Sequence, residues 1–166
     1  MTLKQRVLVL VAISASCVAC DQETKHLADL ALKDKPPIEF LDHTIKLMHA
    51  QNLGAWGSLG AGWPEVVRWP ILVLLPLVAL VGLGIWAVRT KELSTSLLVA
   101  TALFLGGGLG NLIDRVFRGS VVDFVVSGKG VVSTNVFNVA DVAIVAAGLL
   151  FLFESFRKRN PETKGG

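Results

Sequence analysis

The sequence predicts a mainly α-helical membrane protein with four transmembrane helices and a small β-sheet beside one membrane face. The 166 residues are 52% hydrophobic and their mean hydropathy is +0.61, which is too apolar for an ordinary soluble domain. Four apolar stretches approach the roughly 20 residues that cross a bilayer. The two long loops between them carry β-rich runs. The length suggests one integral membrane domain, residues 1–166.

The four predicted spans cover approximately residues 7–27, 69–88, 96–114 and 136–155. In the second span, Pro70 is typical of a helix start. Pro76 can kink the same helix, because proline lacks the backbone N–H that would bond to the preceding turn. In the third span, the small residues of GGGLG at 106–110 favour close helix packing. No Lys-Ser/Thr pair follows this run, so it does not match a phosphate loop.

The first apolar stretch also resembles a secretory signal, because a basic start and a short apolar run precede small residues and a cysteine. By itself it is compatible with a lipoprotein signal that is lipidated at Cys17 or Cys20. Three further spans follow, so an uncleaved first helix is the simpler prediction. We expect both cysteines to be small core residues, since two are too few for a disulfide framework.

Basic residues are concentrated in three short segments, residues 1–6, 89–95 and 154–166. These segments hold eight Lys and Arg against three Asp and Glu, whereas the rest of the chain holds eight against ten. This distribution places both termini in the cytoplasm and the two long loops outside. The bases form no patch with interleaved aromatic residues, so the net charge of +3 does not indicate a nucleic-acid partner.

The two outer loops, at about 36–66 and 119–135, contain the predicted strands. In the first loop, IEFLDHTIKLMHAQN partly alternates apolar and polar residues, which predicts short strands. In the second loop, SVVDFVV and VVSTNVF are joined by SGKG, which predicts a β-hairpin. We expect strands from both loops to pair in one small sheet on the outer membrane face.

Four carboxylates lie at the predicted outer edge of the membrane: Asp21, Asp114, Asp123 and Asp141. Ionisable residues at such positions are candidates for a functional site. About 18 Å of helix separate Asp141 from Phe153, so Asp141 lies near the outer end of its span. Two carboxylates brought close share one proton and can activate a water molecule against a peptide carbonyl.

Each candidate acid also has a structural alternative. Asp114 can pair with the adjacent Arg115. Asp123 can be a solvated strand residue, and Asp141 can be hydrogen-bonded inside the helix bundle. Residue spacing therefore leaves three functions open: a proteolytic acid pair, a proton-linked membrane carrier and a non-catalytic membrane scaffold.

Other polar side chains indicate no separate chemistry. Asp21 and Lys25 stand four residues apart on one helix face, which predicts a modest salt bridge at the membrane edge. His26, His43 and His49 show no metal-ligand spacing. We therefore expect no metal site.

Five motifs occur in order at the ends of the four spans: DQETK, QNLGAWGS, GGGLGNLIDR, VVDF and FNVAD. With these motifs the sequence closely resembles the lipoprotein signal peptidases, the type II signal peptidases of bacteria, over nearly the whole chain. The resemblance implies a monomeric intramembrane aspartyl endopeptidase of the bacterial cytoplasmic membrane, with a β-cradle and its active site near the periplasmic face. It also implies that the substrates are diacylglyceryl-modified prolipoproteins, cleaved just before the lipidated cysteine without a cofactor.

The resemblance assigns a role to each matched residue. It makes Asp123 and Asp141 the catalytic pair. The residues that it places at the substrate and around the pair are Asn52, Gly54, Asn111, Arg115 and Asn138. The residues that it implies as structural supports are Asp21, Lys25, Asp114 and Ala140, with Asp114 holding Arg115. One motif departs from the family pattern: Trp56 stands where a small residue is usual, and Gly57 where an aromatic residue is usual.

Overall fold

The fold is described by a computed structural model covering residues 1–129 and 132–159. Within these ranges, four helical segments are long and apolar enough to cross a membrane. The chain is mainly helical with a small antiparallel sheet, which confirms the predicted fold class. The helices are α1 (Leu3–Leu32), α2 (Glu65–Trp69), α3 (Leu75–Arg89), α4 (Thr95–Arg118) and α5 (Val139–Arg159).

Helix α1 extends beyond its predicted span at both ends. It begins with a capping box, in which the Thr2 hydroxyl accepts from the Gln5 N–H and the Gln5 side chain accepts from the Thr2 N–H. At the other end, Asp21, Lys25 and Leu32 are all buried on one face of the helix. Packing of that face carries the helix past the apolar run on which the prediction was based.

The second membrane helix begins earlier than predicted. Glu65 follows Pro64, whose carbonyl accepts the N–H groups of Val67 and Arg68, so the helix starts there and not at Pro70. Pro70–Leu74 form a wider π-helical turn that joins α2 to α3. The irregularity predicted for this helix therefore lies just before Pro76 and not at it.

Helix α4 lies at the centre of the bundle and packs against α1, α3 and α5. A Cβ atom at Gly110 would lie 2.5 Å from Asp21 Oδ2 of α1, and one at Gly107 would overlap the Ala140 carbonyl of α5. The glycines therefore allow the close helix packing that the GGGLG run predicts.

The strands of both outer loops form one antiparallel sheet in the order β1-β2-β3-β4, as predicted. The strands are β1 (Ile38–Phe40), β2 (Ile45–Asn52), β3 (Val121–Lys129) and β4 (Val132–Ser133). β3 and β4 pair antiparallel, so a hairpin is present, but β3 continues through residues 127–129, which the prediction placed in the SGKG connection; residues 130–131 lie outside the described residues. The pairing of β2 with β3 joins the two loops.

Two chain reversals bring α4, β3 and α5 to one end of the bundle. Helix α4 ends at Gly119, whose φ of 74° turns the chain into β3 within two residues. Helix α5 begins at Val139, later than the predicted 136, because the Asn138 side chain accepts the Asp141 N–H and caps the helix.

Candidate active site

Asp123 projects from β3 into a buried polar cluster and is 3% exposed. Its Oδ1 accepts from Asn138 Nδ2 at 2.6 Å, and its Oδ2 accepts from Asn52 Nδ2 at 3.1 Å. Burial raises the pKa of Asp123 from 3.8 to about 6. The Asn52 and Asn138 amides oppose this rise in pKa, whereas the nearby charge of Asp141 adds to it.

Asp141 lies in the first turn of α5, where the helix dipole favours a negative charge. Its Oδ1 accepts from Asn111 Nδ2 at 2.8 Å, and its Oδ2 accepts from the Asn138 backbone N–H at 3.2 Å. Both carboxylate oxygens of Asp141 therefore have a hydrogen-bond donor.

Asn138 connects the two acids. Its backbone N–H donates to Asp141 and its side-chain oxygen accepts the Asp141 N–H, a reciprocal pair of bonds like a capping box. Its side-chain NH2 donates to Asp123 Oδ1 at 2.6 Å and to Asn111 Oδ1 at 3.1 Å. One asparagine, 1% exposed, thus fixes the helix end and orients both carboxylates.

The predicted interaction of Asp21 with Lys25 is present, but it is not an exposed pair at the membrane edge. Both side chains are fully buried and lie 2.7 Å apart. Lys25 Nζ also lies 2.9 Å from Asp114 Oδ2 and 3.0 Å from Asn111 Oδ1, and Asp21 Oδ1 accepts the Ala140 N–H at 2.9 Å. A buried ion triad therefore ties α1 to α4 and α5 directly behind the two acids.

Asp114 does not hold Arg115, contrary to the expectation from the resemblance. Asp114 Oδ2 pairs with Lys25 and accepts the Val122 N–H at 3.2 Å, because its side chain faces α1 and the start of β3. Arg115 instead donates to the Gly54 carbonyl at 3.0 Å. The two neighbours thus support different parts of the cluster.

The loop after β2 folds around Asn52. Its side-chain oxygen accepts the Gly54 N–H at 2.9 Å, while its NH2 donates to the Ala55 carbonyl and to Asp123. A Cβ atom at Gly54 would lie 2.5 Å from the Leu59 carbonyl oxygen, so only glycine fits this close turn.

Gln22 belongs to the cluster, although no separate sequence pattern indicated it. Its NH2 lies 3.3 Å from Asp21 Oδ2 and 3.2 Å from Asp114 Oδ1. Its position beside Asp21 in DQETK is the one signal that pointed towards it.

A cavity of about 450 Å³ opens beside both acids. Its polar wall is formed by Asn52, Asn111, Arg115, Asp123 and Asp141. Its apolar wall includes Pro76, Ala79, Leu80, Phe104, Gly108, Ile144 and Val145. In the part of the chain that the structure describes, no three His, Cys, Asp or Glu side chains are grouped to hold a metal ion.

The fold is that of solved bacterial membrane enzymes. One such structure, determined by the in meso method at 2.3 Å resolution, aligns with a TM-score of 0.80 at 23% identity, covering 95% of this chain and 93% of that chain. A second, at 1.9 Å resolution, aligns with a TM-score of 0.75 at 24% identity, covering 88% of this chain and 91% of that chain.

Sequence comparison gives the family. The sequence model described as "Signal peptidase (SPase) II" matches residues 13–157. The lipoprotein signal peptidase of Geobacillus thermodenitrificans is 31% identical and covers 95% of both chains. That of Beijerinckia indica is 38% identical over 84% of this chain and 83% of its own. The chain belongs to the signal peptidase II family and is therefore a multi-pass membrane peptidase.

Proposed function

We propose that this protein removes the signal peptide from diacylglyceryl-modified prolipoproteins and cleaves just before the lipidated cysteine, with Asp123 and Asp141 as a catalytic dyad. Family membership supports the substrate class, since the relatives are lipoprotein signal peptidases. The observation that supports the dyad most directly is Asn138, which bonds to both carboxylates beside the cavity.

The two acids have different roles in proton transfer: one is the general acid and the other is the general base. Asp123, whose pKa is raised to about 6, carries the shared proton, and Asp141, with a donor on each oxygen, is the base. Asp141 takes a proton from water as the water oxygen bonds to the scissile carbonyl carbon, and Asp123 protonates the carbonyl oxygen. The C–N bond then breaks as Asp141 protonates the leaving nitrogen and Asp123 recovers its proton.

The surrounding polar groups position the peptide. Asn52 and Arg115 line the cavity on the side of the Gly54 loop and bind the substrate main chain. Asn111 and Asn138 hold the dyad through their side-chain amides. The apolar wall between α3 and α5 receives the hydrophobic segment before the cleaved bond, because apolar surface favours apolar side chains.

The active site lies at the periplasmic end of the bundle, with both termini in the cytoplasm. The basic residues concentrated in the segments that flank the opposite end support this orientation. At this depth the dyad lies close to the membrane–water interface, so water can reach it, while the apolar surroundings strengthen its electrostatic interactions.

Purified protein tests this function on matched forms of one prolipoprotein, with and without the diacylglyceryl group. We expect cleavage of the modified form only, and a product whose mass places the modified cysteine at its N-terminus. An Asp141→Asn preparation, purified identically, controls for contaminating proteases. Cleavage at another bond, or none with folded protein, would contradict the proposal.

A further inference from the structure

Strand β2 contains a one-residue bulge next to the site. Before the bulge, Leu47 pairs with Val125; after it, Ala50 pairs with Asp123 and Asn52 with Val121. Met48 and His49 therefore lie opposite the single residue Phe124. The bulge sets which face of the sheet the side chains after it occupy, because a one-residue change of register turns each side chain to the opposite face.

The bulge places the Asn52 side chain on the same face of the sheet as Asp123. With the observed register, Asn52 reaches Asp123 Oδ2 at 3.1 Å. If β2 paired with β3 without the bulge, His49 and not Ala50 would lie opposite Asp123, and Asn52 would project from the other face of β2. The position of one catalytic acid's hydrogen-bond donor therefore depends on a local irregularity in the sheet.

His49, within the bulge, forms a side-chain contact with helix α1. His49 Nε2 lies 2.8 Å from Asp29 Oδ1 of α1, and the imidazole side chain is 11% exposed. Asp29 Oδ2 in turn accepts from Arg118 of α4 at 2.7 Å. Arg118 Nε lies 3.6 Å from Asp114 Oδ1, so this chain of contacts ends at the buried triad behind the dyad.

We propose that Asp29, His49 and Arg118 form a bulge clamp, which fixes the register of β2 and so positions Asn52 against Asp123 during catalysis. The clamp joins the sheet to α1 and α4, while its members lie outside the cavity lining. They are therefore positioning residues and not catalytic residues. This inference rests on the proposed peptidase function.

His49→Leu and Asp29→Ala test the clamp with the lipid-modified substrate. We expect kcat to fall about tenfold or more with KM within about twofold, since small displacements of catalytic groups have large effects on rate. His49→Gln keeps an N–H at nearly the same reach and should retain kcat within about threefold. The double variant should be no slower than Asp29→Ala, because both changes break one interaction.

The pH profile separates positioning from general loss of structure. The Asn52 bond lowers the pKa of Asp123, so loosening it should move the alkaline limb of kcat/KM to higher pH in both single variants. Loss of folded protein would lower the rate equally at every pH. Lys46→Ala is the control, because Lys46 lies in the regular part of β2 before the bulge and pairs with Glu39 of β1, not with the helices.

Amide hydrogen exchange gives a readout independent of activity. His49→Leu and Asp29→Ala should speed exchange in residues 49–52, whereas Lys46→Ala should not. An inactive wild-type protein would refute the proposed function, while the exchange measurement would still decide on the clamp. Two results would overturn the clamp. One is that His49→Leu and Asp29→Ala both keep the wild-type exchange rate, kcat and pH profile. The other is that the losses of kcat in the two single variants add up in the double variant.

Discussion

At the scale of single residues, the site depends on side chains that hold each other's positions. Asn138 caps α5 and also donates to Asp123, so the start of a helix and the geometry of the dyad are set by one amide. Asp141 sits three residues into the same cap. A shift of one carboxylate relative to the other would therefore break a hydrogen bond to Asn138.

Substitution of Asn138 separates these two roles. Asn138→Ala should reduce kcat about a hundredfold or more, since the donor to Asp123 is lost, and should lower stability by about 1 kcal/mol through loss of the cap. Asn138→Ser keeps a capping oxygen without placing a second charge beside Asp123, so its stability should stay closer to wild type while activity is still lost. Thermal unfolding and single-turnover rates measure the two effects, and an active Asn138→Ala would contradict this role.

The pH dependence of activity also belongs to the residue scale. The raised pKa of Asp123 keeps it protonated up to about pH 6, so the general-acid role that we propose for it is lost as the pH rises through that value. We expect the alkaline limb of kcat/KM to lie near pH 6 in free enzyme. Bound substrate excludes water and raises the pKa of Asp123 further, so the alkaline limb of kcat should lie at a higher pH than that of kcat/KM. A kcat/KM profile flat from pH 5 to 8 would contradict the assignment.

At the scale of secondary-structure elements, helix packing places the polar cluster. Gly110 brings α4 against α1 at Asp21, and Gly107 brings it against α5 at Ala140. Asp21 joins these contacts, since it bonds to Lys25 on its own helix and to the Ala140 N–H. Close approach of three helices thus produces the burial that keeps the triad away from water.

Gly110→Ala tests this packing. The added methyl group would meet Asp21 Oδ2 at 2.5 Å, so we expect a loss of about 1–3 kcal/mol in stability and a lower rate of cleavage. Gly148→Ala is the matched control in α5, where a Cβ atom meets nothing within 4 Å. That change should be neutral or slightly stabilising. Equal stabilities for the two variants in thermal unfolding would refute the packing argument.

At the scale of the whole molecule, the helix ends and the sheet meet at one end of the bundle. Apolar runs and β-rich loops in the sequence predicted this arrangement, while charge distribution and helix length lead us to expect Asp141 near the outer end of its span. Spacing could not distinguish Asp114 from Asp123 as its partner. In the structure Asp114 faces Lys25 from within α4, whereas the chain leaves α4 at Gly119 and β3 carries Asp123 to the cavity.

Features that depend on distant partners could not be predicted from local pattern. Lys25 and Asp21 look like an exposed helical pair, and only Asp114 and Asn111, almost ninety positions along the chain, make them a buried cluster. The bulge at His49 is equally hidden, because its register depends on pairing with β3. The late start of α5 depends on one side-chain bond of Asn138.

The central claim is that Asp123 and Asp141 act as one catalytic dyad. The most direct measurement compares Asp123→Asn and Asp141→Asn with wild type on the lipid-modified substrate, with folding checked by thermal unfolding. Asp34→Asn, at an exposed position outside the cavity, is the control. We predict a loss of about a thousandfold or more for each dyad variant and none for the control. A folded dyad variant that cleaves at a near-normal rate would show that its aspartate is structural, and would move the search to Asp114.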